Sequence, residues 1–329
     1  MKSLPILSTI PRSGTWFLRY AVSFLAHLDR GGRIDNRLTG RTVGDPTGPA
    51  FDFRRFKGGP LFNVRGTMPV DHLFIGHTVC PGFAAMAGEV DWWRQTPFHV
   101  PGYDYFHEGL NYRYTPVELA PYLYTRIRVP ALERSAKKRG QRTVLVYRDP
   151  LDQAASFYWY CQHHDEPTYN SFSGRPLGSM PFDDFLFERA LPSYAKQFIS
   201  YQVMAERQPD LVRLVTYERL MESPIDVMAA ILDHLSGSAQ ERPGLGDAVR
   251  LAHSEHLKAI ERELGQSLDG TRRGRLSHMR QGHTRSLEQR MAVSTRLQAM
   301  ALLGSLGVNT DFFAWPLPEA VPEEAATAA

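Results

Sequence analysis

Cysteine is nearly absent from this chain: Cys80 and Cys161 are the only two in 329 residues. Two thiols cannot build a disulfide scaffold, and their spacing fits no zinc motif, so they read as ordinary residues of a reducing compartment. No apolar run approaches the ~20 residues that span a bilayer. Charge of one sign is lacking too, with 38 Lys and Arg against 35 Asp and Glu. That balance, without any basic run interleaved with aromatics, speaks against a nucleic-acid partner. The Walker A pattern G-x-x-x-x-G-K-[ST] is missing, which disfavours ATP or GTP hydrolysis. No internal repeat occurs. Met1 to His27 has an early lysine and apolar stretches like those of a signal peptide. Pro11, Arg12, Ser13 and Gly14 interrupt it, however, and no small-residue cleavage pattern follows. The expectation is a cytoplasmic protein with no membrane span.

What is present is enough for a large core: 43% of residues are hydrophobic and 22% charged. Leu4 to Ile10 reads as a buried strand, followed by a turn at Pro11 to Thr15 and helical spacing from Trp16 to Leu28. A second short strand, Val70 to Thr78, contains His77. Thr143 to Tyr147 (TVLVY) is apolar throughout, as a central parallel strand should be. Helical spacing returns over Pro150 to Tyr160 and Asp183 to Arg207, and Leu211 to Tyr217 makes another strand. Ser223 and Pro224 form a helix start, serine as cap and proline in the first turn. Further helices are expected over Leu119–Arg139, Asp247–Leu264 and Thr284–Leu306. This alternation predicts an α/β fold with a mainly parallel central sheet flanked by helices, as one domain over residues 1–315. Residues 30–66, with few apolar positions in register, read as a long surface excursion on the acceptor side, 92–124, dense in aromatics and prolines, as an irregular acceptor-side excursion, and 316–329 as a disordered tail.

Two loops carry the chemistry. Between a strand and a helix N-terminus, Pro11-Arg12-Ser13-Gly14-Thr15 offers backbone N–H groups, two hydroxyls and a guanidinium to an anion. Taken alone, the same residues fit a plain strand–helix turn equally well. Arg148 follows the TVLVY strand, at the carboxyl edge where open α/β sheets bind ligands. Ser156 lies two helical turns on, over the same face. The alternative there is a surface ion pair of Arg148 with Asp149 or Asp152, worth little. His163-His164-Asp165-Glu166 lacks any regular metal-ligand spacing and reads as a solvated loop. No metal is expected.

At these residues the chain resembles sulfotransferases that use 3′-phosphoadenosine 5′-phosphosulfate (PAPS). Pro11-Arg12-Ser13-Gly14-Thr15-Trp16 is similar to their 5′-phosphosulfate loop, commonly P-K-S-G-T-T-W. Arg148-Asp149-Pro150-Leu151-Asp152 with Ser156-Phe157-Tyr158 resembles their 3′-phosphate motif, R-N-P-x-D-x-x-x-S-x-Y, about 135 residues on. His77 stands where cytosolic members carry a catalytic histidine. Leu214 to Leu220 resembles the V-x-Y-E-D-L stretch whose tyrosine, here Tyr217, lies near the adenine. Arg272-Arg273-Gly274 resembles the late R-K-G loop that closes on the 3′-phosphate, with His283 beyond it.

The resemblance implies a P-loop-NTPase-like sulfotransferase fold and in-line transfer to a hydroxyl or amine, leaving 3′-phosphoadenosine 5′-phosphate (PAP). Arg12, the loop N–H groups and Thr15 would hold the phosphosulfate. Arg148, Ser156 and the 272–274 loop would hold the 3′-phosphate, and Tyr217 and Trp16 would border the adenine. His77 would be the base, and Glu218 a partner for an arginine. Three departures stand out: Arg12 replaces lysine, one threonine of the usual pair is missing, and no G-x-W follows the late loop. Two alternatives stand beside this reading: a P-loop-like nucleotide kinase, disfavoured by the absent Walker lysine, and a catalytically silent nucleotide-binding protein, which the first two departures keep open. The acceptor is expected to be a small-molecule or lipidic hydroxyl compound. The aromatics of Phe98 to Tyr124 fit either its pocket or ordinary core packing.

Overall fold

The computed structural model describes residues 4–54, 56, 61–78, 80, 141–163, 179–265 and 291–313. Strands β1 (Ile6–Thr9), β5 (His72–Gly76), β6 (Thr143–Tyr147) and β7 (Val212–Thr216) are parallel. The short strand β4 (Leu61–Asn63) adds antiparallel at one edge, giving the order β4-β5-β1-β6-β7. Arg33–Asp35 (β2) and Thr42–Gly44 (β3) form a separate antiparallel pair.

The side-chain period of two explains why the sheet is covered on both faces. Along β6, Val144 and Val146 enter one core and Leu145 and Tyr147 the other. The first core is closed by α1 (Thr15–Leu28). On the opposite face lie α2 (Pro150–His163) and the segment ending in α4 (Leu191–Arg207). That segment begins as α3 (Phe182–Phe185) and widens into a π turn over Leu186–Ala190. Pro192, at the start of α4, has no N–H and its ring would crowd the carbonyl four residues back, so the wider turn keeps the helix continuous. After β7 come α5 (Tyr217–Glu222), α6 (Pro224–Ser236), α7 (Leu245–Leu251), α8 (Ser254–Leu264) and α9 (Val293–Ser305).

The four parallel strands lie where the sequence places them, with three corrections elsewhere. The single helix expected over 247–264 is two, broken at Ala252 and His253; the His256 ring bonds the Leu251 carbonyl at the break, 2.7 Å away. Ser223 occupies the cap position of α6 but makes no side-chain cap bond; the capping hydroxyl is that of Thr216, which accepts from the Arg219 N–H at the start of α5. Part of the excursion over 30–66 is anchored in the core, while most of 37–50 stays exposed. Ile34, Phe62 and Val64 are buried, and Phe51, Phe53 and Phe56 stack with Tyr20 and Phe24 of α1. Its strands are three residues long and its aromatics follow no period, so pattern reading passes over them. The helix expected over 119–139, the segment 92–124 and the tail 316–329 lie outside the described residues.

Candidate functional site

Four parallel strands end side by side, and each delivers one predicted group. In the order β5, β1, β6, β7 their carboxyl ends lead to His77, to the loop before α1, to Arg148 and to Tyr217. Neighbouring strands stand about 4.8 Å apart, so this row extends over roughly 14 Å. Sequence-distant residues are thus brought to one edge of one sheet.

The loop from Ile10 to Gly14 is tight and wound the unusual way. Arg12 (φ 70°) and Gly14 (φ 84°) both adopt left-handed conformations, and Arg12 is the one non-glycine residue with positive φ among those described. Such a conformation costs an L residue about 1–2 kcal/mol and is held only where its surroundings demand it. Here the Arg12 guanidinium lies over the Tyr160 ring, 4.9 Å from its centre, and Nε donates to Ser156 Oγ over a long 3.4 Å. Gln153, buried on α2, donates to the Pro11 carbonyl at 3.1 Å. The two motifs therefore meet through three side chains of α2. Ser13 is fully buried, and its Oγ has no hydrogen-bond partner among the described residues.

Gly14 is required twice over. Besides its positive φ, a Cβ there would stand 3.0 and 3.1 Å from two carbons of the Tyr217 ring. The group that comes close to this glycine is thus the protein's own tyrosine. Gly14→Ala is expected to destabilise the fold by about 1–2 kcal/mol and lower the thermal midpoint by a few degrees. In a Tyr217→Ala background the steric part should vanish and the backbone part remain; equal losses in both backgrounds would show that the ring contact contributes nothing.

Thr15 opens α1 and is buried. Its Oγ1 lies 2.7 Å from Thr9 Oγ1, which in turn lies 3.1 Å from His77 Nδ1. His77 Nδ1 is also 2.8 Å from the Thr9 carbonyl. A carbonyl only accepts, so Nδ1 carries the proton and Nε2 the lone pair. Burial, followed by the charges of Arg19 and Arg12, pushes the imidazole down to about 4, against the Thr9 bond, which raises it. The ring is therefore neutral at physiological pH.

Arg148 is buried, and its ion pair with Asp152, the alternative weighed for the surface, is internal: its NH2 nitrogen lies 3.2 Å from Asp152 Oδ2. The guanidinium also lies over the Tyr217 ring at 5.2 Å, and the Tyr194 hydroxyl donates to the Arg148 carbonyl at 2.7 Å. Asp149 caps α2, its Oδ1 accepting from the Leu151 and Asp152 N–H groups. Glu218 accepts from the Asp149 N–H at 3.2 Å; burial raises its carboxyl, and the charge of Arg148 acts against that rise. Trp16 packs against Tyr20 and the Arg19 guanidinium. Arg272, Arg273, Gly274 and His283 lie outside the described residues. Thr9, Gln153, Tyr160 and Gln197 complete the site, and none carries a motif signal of its own; only the position of Thr9, two residues before Pro11, points to it.

Comparison with known proteins bears on the family and the fold. A family model described as a sulfotransferase domain matches residues 5–300. Mouse sulfotransferase SULT7A1 complexed with PAP superposes with a TM-score of 0.52 at 13% identity, over 95% of this chain and 86% of that one. Retinol dehydratase in complex with androsterone and inactive cofactor PAP gives 0.44 at 13% identity, over 95% and 82%. Its complex with retinol and PAP gives 0.46 at 13% identity, over 96% and 84%. No curated protein matches the sequence. At such identity the first superposition establishes a shared fold and no more, and the family rests on the domain match, which covers nearly the whole length. This chain belongs to the sulfotransferase domain family.

Proposed function

We propose that this sulfotransferase takes its sulfuryl group from PAPS and passes it to a hydroxyl or amine of a small-molecule or lipidic acceptor, by direct in-line displacement. The observation that carries the reading is the row of His77, the 10–15 loop, Arg148 and Tyr217 along adjacent strand ends. It supplies, in linear order, a base, an anion cradle, a guanidinium and an aromatic face. A base-to-adenine ligand of two anionic ends needs that sequence of groups.

The residues present fit such a ligand. Ser13 Oγ is buried in the cradle without a described partner, and a buried hydroxyl is costly unless it meets one. Arg148 carries five N–H donors, so a carboxylate and a phosphate can share it. PAPS, when bound, supplies the activated sulfuryl group and PAP is what remains of it. Arg12, Ser13, Thr15 and the loop N–H groups would hold the phosphosulfate end and stabilise charge gathering on the leaving phosphate. Arg148, Ser156 and the 272–274 loop would hold the 3′-phosphate. Tyr217 would face the adenine, with Trp16 beside it. His77 Nε2 would accept the acceptor's proton as the new S–O or S–N bond forms. No residue in this account requires a metal, and no group of side chains among the described residues is arranged to hold one.

The acceptor wall is assigned to 92–124 and to the aromatic part of 30–66. Within the latter the β2–β3 pair sits at the far end of α1, since His27 bonds the Pro49 carbonyl there. Phe56, which packs against Tyr20 of α1 and Phe62, is offered as part of that wall.

Thermal unfolding with PAP, adenosine 5′-phosphate, and ATP with magnesium tests the reading without an acceptor. At a hundredfold excess over its dissociation constant, PAP adds about 2.7 kcal/mol, and the midpoint should rise by several degrees. Little rise is expected with the other two. No rise with PAP, or a larger one with ATP and magnesium, would turn the assignment toward a nucleotide kinase. PAP binding without turnover over a broad acceptor panel would indicate a silent nucleotide-binding protein.

A further inference from the structure

The ladder between β1 and β5 ends at Ser8 and Gly76. One residue further, where Thr9 and His77 stand, the strands are joined by side chains instead. Ser8 Oγ donates to the Thr78 carbonyl at 3.0 Å and accepts from the Thr78 N–H at 3.2 Å. Gln197, buried on α4, reaches across the gap from the opposite core. Its Nε2 stands 3.0 Å from the Thr9 carbonyl, 3.1 Å from the Thr78 carbonyl and 3.2 Å from Ser8 Oγ.

We infer that Gln197 is a positioning residue that sets the tautomer of His77 by fixing the Thr9 carbonyl. The inference rests on the reading of His77 as the base only for its effect on turnover. Two atoms of Thr9 compete for His77 Nδ1. The carbonyl, at 2.8 Å, requires Nδ1 to be protonated and leaves Nε2 able to take up a proton. The hydroxyl, at 3.1 Å, can donate to Nδ1 instead, and would then stabilise the opposite tautomer, whose Nε2 already carries a proton. That tautomer cannot act as a base through Nε2. A carbonyl oxygen has two lone pairs. With Gln197 on one and His77 on the other, it is held facing the ring, and turning away would give up the shortest of the three contacts of the Gln197 amide. Removing that amide frees the carbonyl to rotate and lets the hydroxyl compete.

The ring itself reports the outcome. In protein labelled with 15N-histidine, the His77 ring shifts at neutral pH are expected to show a protonated Nδ1 and an unprotonated Nε2. In Gln197→Leu the Nε2-protonated form should appear. Turnover should fall about tenfold or more, with KM for PAPS and the thermal shift by PAP unchanged. Gln197→Glu, of the same shape but without donors when ionised, should do the same and serves if the leucine variant does not fold. A folded variant with the wild-type tautomer and wild-type kcat would overturn the inference. So would a wild-type ring protonated on Nε2, which needs no variant at all. Should His77→Ala turn over normally, the base assignment falls while the tautomer measurement on Gln197 still stands or fails by itself.

Discussion

Replacing Arg148 with alanine is expected to weaken PAP binding by about a hundred- to a thousandfold, in line with the 2–5 kcal/mol lost when one partner of a buried charged hydrogen bond is removed. Binding of adenosine 5′-phosphate, which has no 3′-phosphate, should change little. The selectivity follows from position. Arg148 leaves the carboxyl end of β6, one strand beyond the loop that precedes α1, so its guanidinium is offset from the 5′ end of any nucleotide lying along the row. Its stack on Tyr217 sets the plane of the fork beside an aromatic face. The ratio of the two affinities, measured by calorimetry, is the quantity to read; equal losses for both ligands would mean that Arg148 supports the site without touching the 3′-phosphate.

The same substitution has a structural cost that must be kept apart. Asp152 is 3% exposed, and Arg148→Ala removes the cation it faces. Breaking a buried pair by removing one member costs about 3–5 kcal/mol. Arg148→Ala combined with Asp152→Asn removes the stranded carboxylate and should recover much of the thermal midpoint. The loss of PAP selectivity should persist in that double variant. Recovery of both would show that the affinity change was a consequence of misfolding.

The sequence and the structure part company for identifiable reasons. The strand TVLVY was legible because every residue in it is buried on one face or the other, leaving an unbroken apolar run. Arg12, Arg148 and Tyr217 were legible because strand ends and the turns after them have fixed places in an α/β sheet. The residues that join those groups were not. Gln153 and Gln197 are polar side chains inside helices, where pattern reading assigns polar positions to solvent. Each is buried because it bonds a backbone carbonyl that the sheet cannot satisfy, Pro11 in one case and Thr9 in the other. Such pairings join positions more than a hundred residues apart and leave no local periodicity. The internal character of the Arg148–Asp152 pair was hidden similarly, since spacing of four on a helix looks the same at the surface and in the core.

His77→Ala should lower kcat by about a hundred- to ten-thousandfold, the usual contribution of a positioned general base, with the PAP thermal shift intact. The pH dependence gives a sharper expectation. An ordinary histidine near 6.5 would lose its basic form through the physiological range. Here burial and the flanking guanidinium groups of Arg19 and Arg12 lower the imidazole to about 4, so the folded protein keeps it neutral well below pH 6. The profile of kcat/KM for PAPS, which reports the enzyme before PAPS binds, should therefore be level from pH 8 to below 6, with its acid limb lower still. Burial also raises the Glu218 carboxyl, which can contribute a limb of its own. The limb belonging to His77 is the part that disappears in His77→Ala. Stability follows the opposite partner of the same equilibrium: as pH falls from 6.5 toward 4, the unfolded chain takes up a proton at this histidine and the folded one does not, so stability present above 6.5 is lost across that window. In the alanine variant that part of the acid destabilisation should be absent. A level alanine profile at wild-type rate would remove His77 from the chemistry, and an acid limb near 6.5 in the wild type would show that the ring is solvated rather than held between β1, β5 and α1.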